Sequence, residues 1–219
     1  MSYRYDELAP GEVYHICTRG VEQRIIFRHN EDRQRFIKLM IHCLARDETI
    51  SFSTAQKLKH EVVLSEDGAG LVDLLCYCLM DNHVHMLVRE NIGGGTSKYL
   101  LRLLTGYAKY FNMSEHRSGS LFVNPFRAVL VDGDEQLLHV SRYIHLNPYV
   151  SRVIDDPLGY RWSSLPEYLA DRHATKATCH RSLLHSIIGA RDYKKFVVNE
   201  AGYARSLGDI KHLLVDNDY

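Results

Sequence analysis

The chain has 219 residues, 45% apolar and 25% charged, with 27 basic and 27 acidic side chains. Those proportions are ordinary for a soluble globular protein, and no apolar run reaches the ~20 residues that span a bilayer. Zero net charge counts against a uniformly basic nucleic-acid binder, and five cysteines without a CxxC pair exclude a zinc framework read from spacing.

The length allows one full domain with an appendage, or two small domains. The opening Met1-Ser2-Tyr3-Arg4-Tyr5-Asp6 has no signal-peptide core, so the expectation is a cytoplasmic protein with reduced thiols. Glu12 to Arg19 reads as a first strand, ended by Gly20. A helix follows, with Asn30 as N-cap and Glu31 and Asp32 suiting the first turn. Its core stripe is Phe36, Leu39, Met40, Cys43 and Leu44, spaced i, i+3, i+4, i+7, i+8. Between Asp47 and Gly70 there is no clean period; a short helix around Ala55–His60 and a loop are expected there.

The apolar run Leu71 to Met80 and the stretch His83-Val84-His85-Met86-Leu87-Val88 read as two strands joined at Asp81-Asn82, residues suited to a tight turn. Cys76 and Cys78 read as buried small residues of the first. Alternation along the second puts His83, His85, Leu87 and Arg89 on one face and Val84, Met86 and Val88 on the other. The apolar face is expected to pack on helices and the imidazole face to be open to a ligand. Two histidines at i and i+2 can hold one metal ion if a third group arrives from elsewhere, although a bare His-x-His pair in a chain with 13 histidines is more often chance.

Gly93-Gly94-Gly95 lacks the downstream Gly-Lys-Ser/Thr of a phosphate loop and reads as a connection. A helix runs from about Thr96 to Asn112, with Leu100, Leu103, Leu104, Tyr107 and Phe111 on its buried side. From Ser97 to Leu130, Lys98, Arg102, Lys109, Arg117 and Arg127 stand against Glu115 alone, so positive charge is concentrated there. Gly119 to Asp132 reads as a strand pair or irregular ribbon. A further helix, from about Glu135 to Leu146, is expected to stop before Pro148. Leu137, Val140 and Ile144 form its core stripe, while Tyr143 and Asn147, four apart, share another side with His139. Residues 150–219 read as a helical appendage, with segments at Ser182–Ile188 and Asp192–Glu200.

Strand, helix, two strands, helix, strand-like segment, helix is close to a βαββαβ pattern. The expected fold is therefore α+β: a ferredoxin-like or RRM-like four-stranded antiparallel sheet with helices on one face and a C-terminal helical appendage. The free face, carrying His83 and His85, would be a platform for single-stranded nucleic acid.

His83-Val84-His85-Met86-Leu87-Val88 resembles the HUH motif (U is an apolar residue) of single-tyrosine transposases. Tyr143-Ile144-His145-Leu146-Asn147-Pro148 resembles the catalytic helix of the branch called REP-associated tyrosine transposases. Arg117 to Phe122, Tyr160-Arg161-Trp162-Ser163-Ser164 and the opening strand Tyr14 to Gly20 are similar to other motifs of that branch. Together they cover roughly Tyr14 to Tyr168 in the family's order. The departures are Asn124-Pro125, where relatives tend to be basic or carry glutamine, a long 47–70 insert, and Tyr149-Val150-Ser151-Arg152.

The resemblance implies a nuclease domain over 1–150 and a helical extension over 151–219. It implies that Tyr143 is the nucleophile and that His83, His85 and Asn147 hold a divalent metal, Mg²⁺ or Mn²⁺. It further implies a single-stranded, hairpin-forming DNA substrate and a 5′-phosphotyrosine intermediate, with Arg102, Lys109, Arg117 and Arg127 as backbone contacts. Trp162 is a candidate base-stacking residue or a core anchor. Some relatives pair two chains, so a homodimer is among the expectations. The competing readings are a non-catalytic nucleic-acid binder on the same sheet, a zinc hydrolase for which Asn147 is a poor ligand, and a domesticated relative that processes cellular repeats.

Overall fold

The structure, a computed structural model, describes residues 8–46, 50–58, 70–123, 126–170, 178–189 and 192–202. The elements in chain order are β1 (Val13–Arg19), a single 3₁₀ turn (Val21–Gln23), α1 (Asn30–His42), α2 (Phe52–Lys57), β2 (Val72–Leu79), β3 (His83–Glu90), α3 (Gly95–Ser114), β4 (Arg127–Val131), α4 (Gly133–Val150), α5 (Leu165–Leu169), α6 (Ser182–Ile188) and α7 (Tyr193–Asn199). The class is α+β. The four strands form one antiparallel sheet in the order β2-β3-β1-β4. Among the described residues no helix is long and apolar enough to cross a membrane.

The hairpin of β2 and β3 turns at Asp81-Asn82, with Met80 N donating to the His83 carbonyl at 2.9 Å. Its tip is tied down from several sides. Gly20 N donates to the Asn82 carbonyl, Ile26 N and Phe27 N both donate to the Asp81 carbonyl, and Arg33 pairs with the Asp81 carboxylate. Gly20 ends β1 for a steric reason: a Cβ there would stand 2.4 Å from the Arg24 carbonyl oxygen.

Helix α1 begins one residue earlier in its capping than expected. His29 is the N-cap, and Asp32 supplies the capping oxygen, accepting from Arg28 N and His29 N at 2.9 and 3.0 Å. Asn30 is therefore the first helical residue and not the cap. The start of α3 is closed similarly by Glu90, whose carboxylate accepts from Gly94 N and Thr96 N at 2.8 and 3.2 Å. Of the glycine triplet, Gly94 thus gives its amide to the chain's own carboxylate, while Gly95 N donates to the Ile92 carbonyl at 2.8 Å. The short helix foreseen near residues 55–60 is α2; His60, most of the 47–70 insert and Asn124-Pro125 lie outside the described residues.

Two expectations are corrected by α4. Pro148 does not stop the helix, which runs on to Val150. Proline near a C-terminus forfeits a single ladder bond, and Ile144, Leu146, Asn147 and Pro148 are all buried, so packing carries the last turn. Nor do the helices lie on one face. α4 crosses the histidine face of the sheet, contacting β4, β3 and β2. The opposite face, with Tyr14, Ile16, Val84, Met86 and Val88, is equally buried and is left for α3, which packs on β2, β3 and α1. Phe27, Phe36 and Tyr107 meet there ring to ring, with centroids 5.0–5.4 Å apart. Full burial of each such side chain contributes roughly 1.5–3 kcal/mol.

The segment after α4 is part of the same core. Leu79 N donates to the Trp162 carbonyl, Ser164 N to the Tyr77 carbonyl and His180 N to the Leu74 carbonyl, so the chain runs along the outer edge of β2. Tyr160 and Tyr168 hydroxyls donate to the Leu79 and Leu75 carbonyls at 2.7 and 2.5 Å. Tyr160, Leu165, Tyr168, Leu184, Tyr193 and Val197 join the single hydrophobic cluster that also contains the sheet. The edge strand β2 is thereby covered, and the expected appendage is a wall of the core.

Candidate active site

Antiparallel register sets the histidine face. Cys17 lies opposite His85, Arg19 opposite His83, His15 opposite Leu87, and Arg127 opposite Cys17 on the other side of β1. Residues directly opposite share a face. His15, Cys17, Arg19, His83, His85 and Arg127 are thus neighbours on one surface. α4 covers it over His85, which is 3% exposed, and leaves His15, Cys17, Arg19, His83 and Arg127 half-buried.

Helix α4 brings the second cluster onto the first. The Tyr143 ring stands edge-on to His85 with centroids 5.6 Å apart, and to His15 at 6.0 Å. One turn later, Asn147 Nδ2 lies 3.4 Å from His85 Nε2. The His83 and His85 rings are 4.9 Å apart and perpendicular. The i, i+4 pair on one helix therefore reaches His85 of the i, i+2 pair on one strand, across about sixty residues of chain.

The electrostatics favour neutral imidazoles. Burial holds the His85 pKa well below the ordinary histidine value, with help from the neighbouring charges of His15, His83 and Arg19. Burial also lowers His15 to about 4, aided by the Arg127 guanidinium. A neutral imidazole keeps a lone pair, which is the form that binds a metal. One further atom bears on that chemistry. Asn147 Oδ1 is buried and has no hydrogen-bond partner. A buried carbonyl oxygen left unsatisfied costs about 1–3 kcal/mol, and beside a histidine lone pair it is a fitting third donor for a hard cation. Among the described residues no trio of His, Cys, Asp and Glu side chains is arranged to hold a metal, so a site here depends on the asparagine oxygen.

The other foreseen residues scatter. Arg102 donates from α3 to the Ala45 carbonyl at 2.8 Å, and Lys109 is exposed on the same helix. Arg117 bridges Asn112 and the Ser120 carbonyl. Arg102 and Lys109 belong to α3, which packs on the opposite face, and of the four Arg127 alone is placed on the histidine face by strand register. His139, in the same helical row as Tyr143, turns to Arg142 and Phe196 instead. Trp162 packs between Arg161 and Arg33. Sequence reasoning missed His15 and Arg19 as neighbours of the pair. The signal was present in the alternation of β1, but it could not be used without the register between β1 and β3.

No family model matches the chain, and no curated protein matches it. Among solved structures, its fold is similar to that of a REP-associated tyrosine transposase bound to a REP hairpin. The TM-score is 0.55, with 12% identity over 80% of this chain and 89% of that one. The five motifs resemble that same family, and in fold the chain matches one of its members.

Proposed function

We propose that the protein cleaves and rejoins single-stranded DNA through a covalent tyrosine link, on a ferredoxin-like βαββαβ sheet with the nucleophile on α4, the helix that follows the last strand. The observation that carries this reading is the meeting of Tyr143 and Asn147 with His85 on one surface. The Tyr143 phenolic oxygen attacks the phosphorus. Its bond to phosphorus forms as the bond from phosphorus to the 3′ oxygen breaks. The phenolic proton is given up, and the departing oxygen takes one up to leave a 3′-OH. The product is a 5′-phosphotyrosine, which stores the phosphodiester's energy so that a second 3′-OH can reverse the step without ATP.

His83, His85 and Asn147 would hold the divalent ion, Mg²⁺ or Mn²⁺. Bound there, it would polarise a non-bridging phosphate oxygen. The partnerless Asn147 oxygen and the neutral His85 support that role. Arg19 and Arg127, on the same face, are the basic groups best placed to orient a DNA backbone. The fold likeness to a hairpin-bound transposase favours a hairpin substrate.

The test is a cleavage assay on single-stranded hairpin DNA with Mn²⁺, resolved under denaturing conditions. Wild type is expected to give a protein–DNA adduct. Tyr143→Phe is expected to bind the hairpin with unchanged affinity and give no adduct. Normal cutting by the Phe variant would refute the tyrosine assignment, and hairpin binding without any cutting by wild type would favour the non-catalytic binder.

A further inference from the structure

Each histidine of the pair has a second ring nitrogen, and the partner of that nitrogen decides which one carries the proton. For His83 the answer follows from Asn82. Asn82 Nδ2 lies 3.3 Å from the Gln23 carbonyl, a group that can only accept. Its amide oxygen is therefore turned to His83 Nδ1, at 2.6 Å. An amide oxygen only accepts, so His83 Nδ1 bears the hydrogen and Nε2 bears the lone pair.

For His85 the same logic runs through β1. Asn147 Nδ2, a donor, faces His85 Nε2 at 3.4 Å. His85 Nε2 is thus the lone-pair nitrogen, and Nδ1 holds the hydrogen. The atom that receives it is His15 Nε2, 3.0 Å away, in a ring stacked on His85 with centroids 5.2 Å apart and planes 24° from parallel. His15 is neither on the histidine strand nor on the tyrosine helix. It is the group that closes the hydrogen-bond chain on the far side of His85.

We propose that His15 is a positioning residue of the metal site: by accepting the Nδ1 hydrogen of His85 it fixes the tautomer and ring plane that present Nε2 to the cation. This rests on the reading of His83, His85 and Asn147 as the cation's ligands. Asn82 does the corresponding work for His83, so each ligand is held by one acceptor behind it. Such outer partners set the basicity and orientation of metal-binding histidines.

Two measurements test it, neither of which requires DNA cleavage. The first is the two-bond ¹H–¹⁵N spectrum of the metal-free, ¹⁵N-histidine-labelled protein at pH 7.5. His85 is expected as the Nδ1–H tautomer in wild type and in His15→Gln, which keeps an acceptor. In His15→Phe, which keeps a stacking ring and loses the acceptor, a mixture of tautomers is expected. The second is Mn²⁺ affinity, read from the free-ion electron paramagnetic resonance signal. His15→Phe is expected to bind about 10- to 100-fold more weakly and His15→Gln within about 3-fold of wild type. An Nε2–H tautomer for His85 in wild type overturns the proposal even if the Phe variant does not fold. Wild-type Mn²⁺ affinity in His15→Phe overturns it too, provided His83→Ala loses the ion. Retained Mn²⁺ binding in His83→Ala would instead overturn the cation-site reading on which the proposal stands.

Discussion

Two buried histidines meet at α4, His85 on the sheet beneath it and His145 on the helix itself, and their surroundings differ in one respect. His145 belongs to a hydrogen-bond chain without a gap. Tyr77 N donates to Ser164 Oγ, which faces His145 Nε2 at 2.8 Å; His145 Nδ1 faces the Tyr193 hydroxyl at 2.8 Å. Tyr193 in turn donates to Ser141 Oγ, and Ser141 to the Leu138 carbonyl. His85 belongs to a chain that breaks at Asn147, whose oxygen meets no donor. Native interiors satisfy nearly all their polar groups, and the exceptions need a reason. The closed chain locks α4 in register against β2 and the C-terminal wall. The open chain leaves a donor set incomplete, and the missing partner is what a cation would supply.

The sharpest way to break this comparison is to remove each histidine in turn. His85→Ala is expected to lower hairpin cleavage by about 10²- to 10³-fold, the scale of losing a group that acts in the transition state, with little change in melting temperature. His145→Ala is expected to take one hydrogen-bond partner each from Ser164 and Tyr193 and to open a cavity. That should cost about 3–5 kcal/mol of stability and lower the melting temperature by about 10 °C. If His85→Ala unfolds the protein and His145→Ala leaves it intact, the two clusters have been assigned the wrong way round.

A second difference concerns added metal. Mn²⁺ at about 100 times its dissociation constant should stabilise the folded wild type by about 2.7 kcal/mol, through preferential binding to the native state. Differential scanning fluorimetry should show the rise in wild type and in Tyr143→Phe. It should be absent in Asn147→Ala, where the orphaned oxygen is gone. An equal rise in Asn147→Ala would remove the asparagine from the ligand set.

The sequence made one of these clusters visible and hid the other. The strand alternation at His83 and His85 and the helical spacing of Tyr143 and Asn147 are local periods, and local periods survive folding, so the site's two halves could be read before they met. Their meeting could not be read, because it depends on α4 crossing the sheet. A hint lay in β2. Leu71 to Met80 is apolar almost without alternation, and every residue of β2 is buried. A strand apolar on both sides is one covered on both sides, which already argued against a bare histidine face. The closed cluster was illegible for a different reason. Ser164 and Tyr193 stand 19 and 48 residues from His145, and nothing in the spacing of a serine or tyrosine announces so distant a bond. Pro148 misled because a helix-breaking residue costs least where the helix is ending anyway.

Acid separates the clusters less strongly. Burial lowers His145 to about 3, against an ordinary histidine value near 6.5 in the unfolded chain. Between those values the unfolded state binds the extra proton, so stability rises with pH. The contribution is complete above about pH 6.5 and is lost as the pH falls toward 3. From pH 6.5 to 5 this one group should account for about 2 kcal/mol. His145→Gln, which cannot titrate, should flatten the pH dependence of urea unfolding by that amount. An unchanged slope would mean that His145 is not held neutral in the native state.

The smallest expected effect comes from the far end of the closed chain. Tyr193→Phe keeps the ring that packs on Tyr168, at 4.8 Å between centroids, and removes only the hydroxyl between His145 and Ser141. The loss should be about 1 kcal/mol, the usual net value of a hydrogen bond, and hairpin cleavage should be unchanged. The value of so mild a variant lies in what it leaves in place. α4 stays packed, Tyr143 and Asn147 keep their positions against His85, and only the chain that fixes the register is loosened. If cleavage nevertheless falls by tenfold or more while stability holds, the two clusters are coupled through the roughly half turn of α4 between His145 and Asn147. The closed chain would then be part of how the tyrosine is aimed, and not only of how the helix is held.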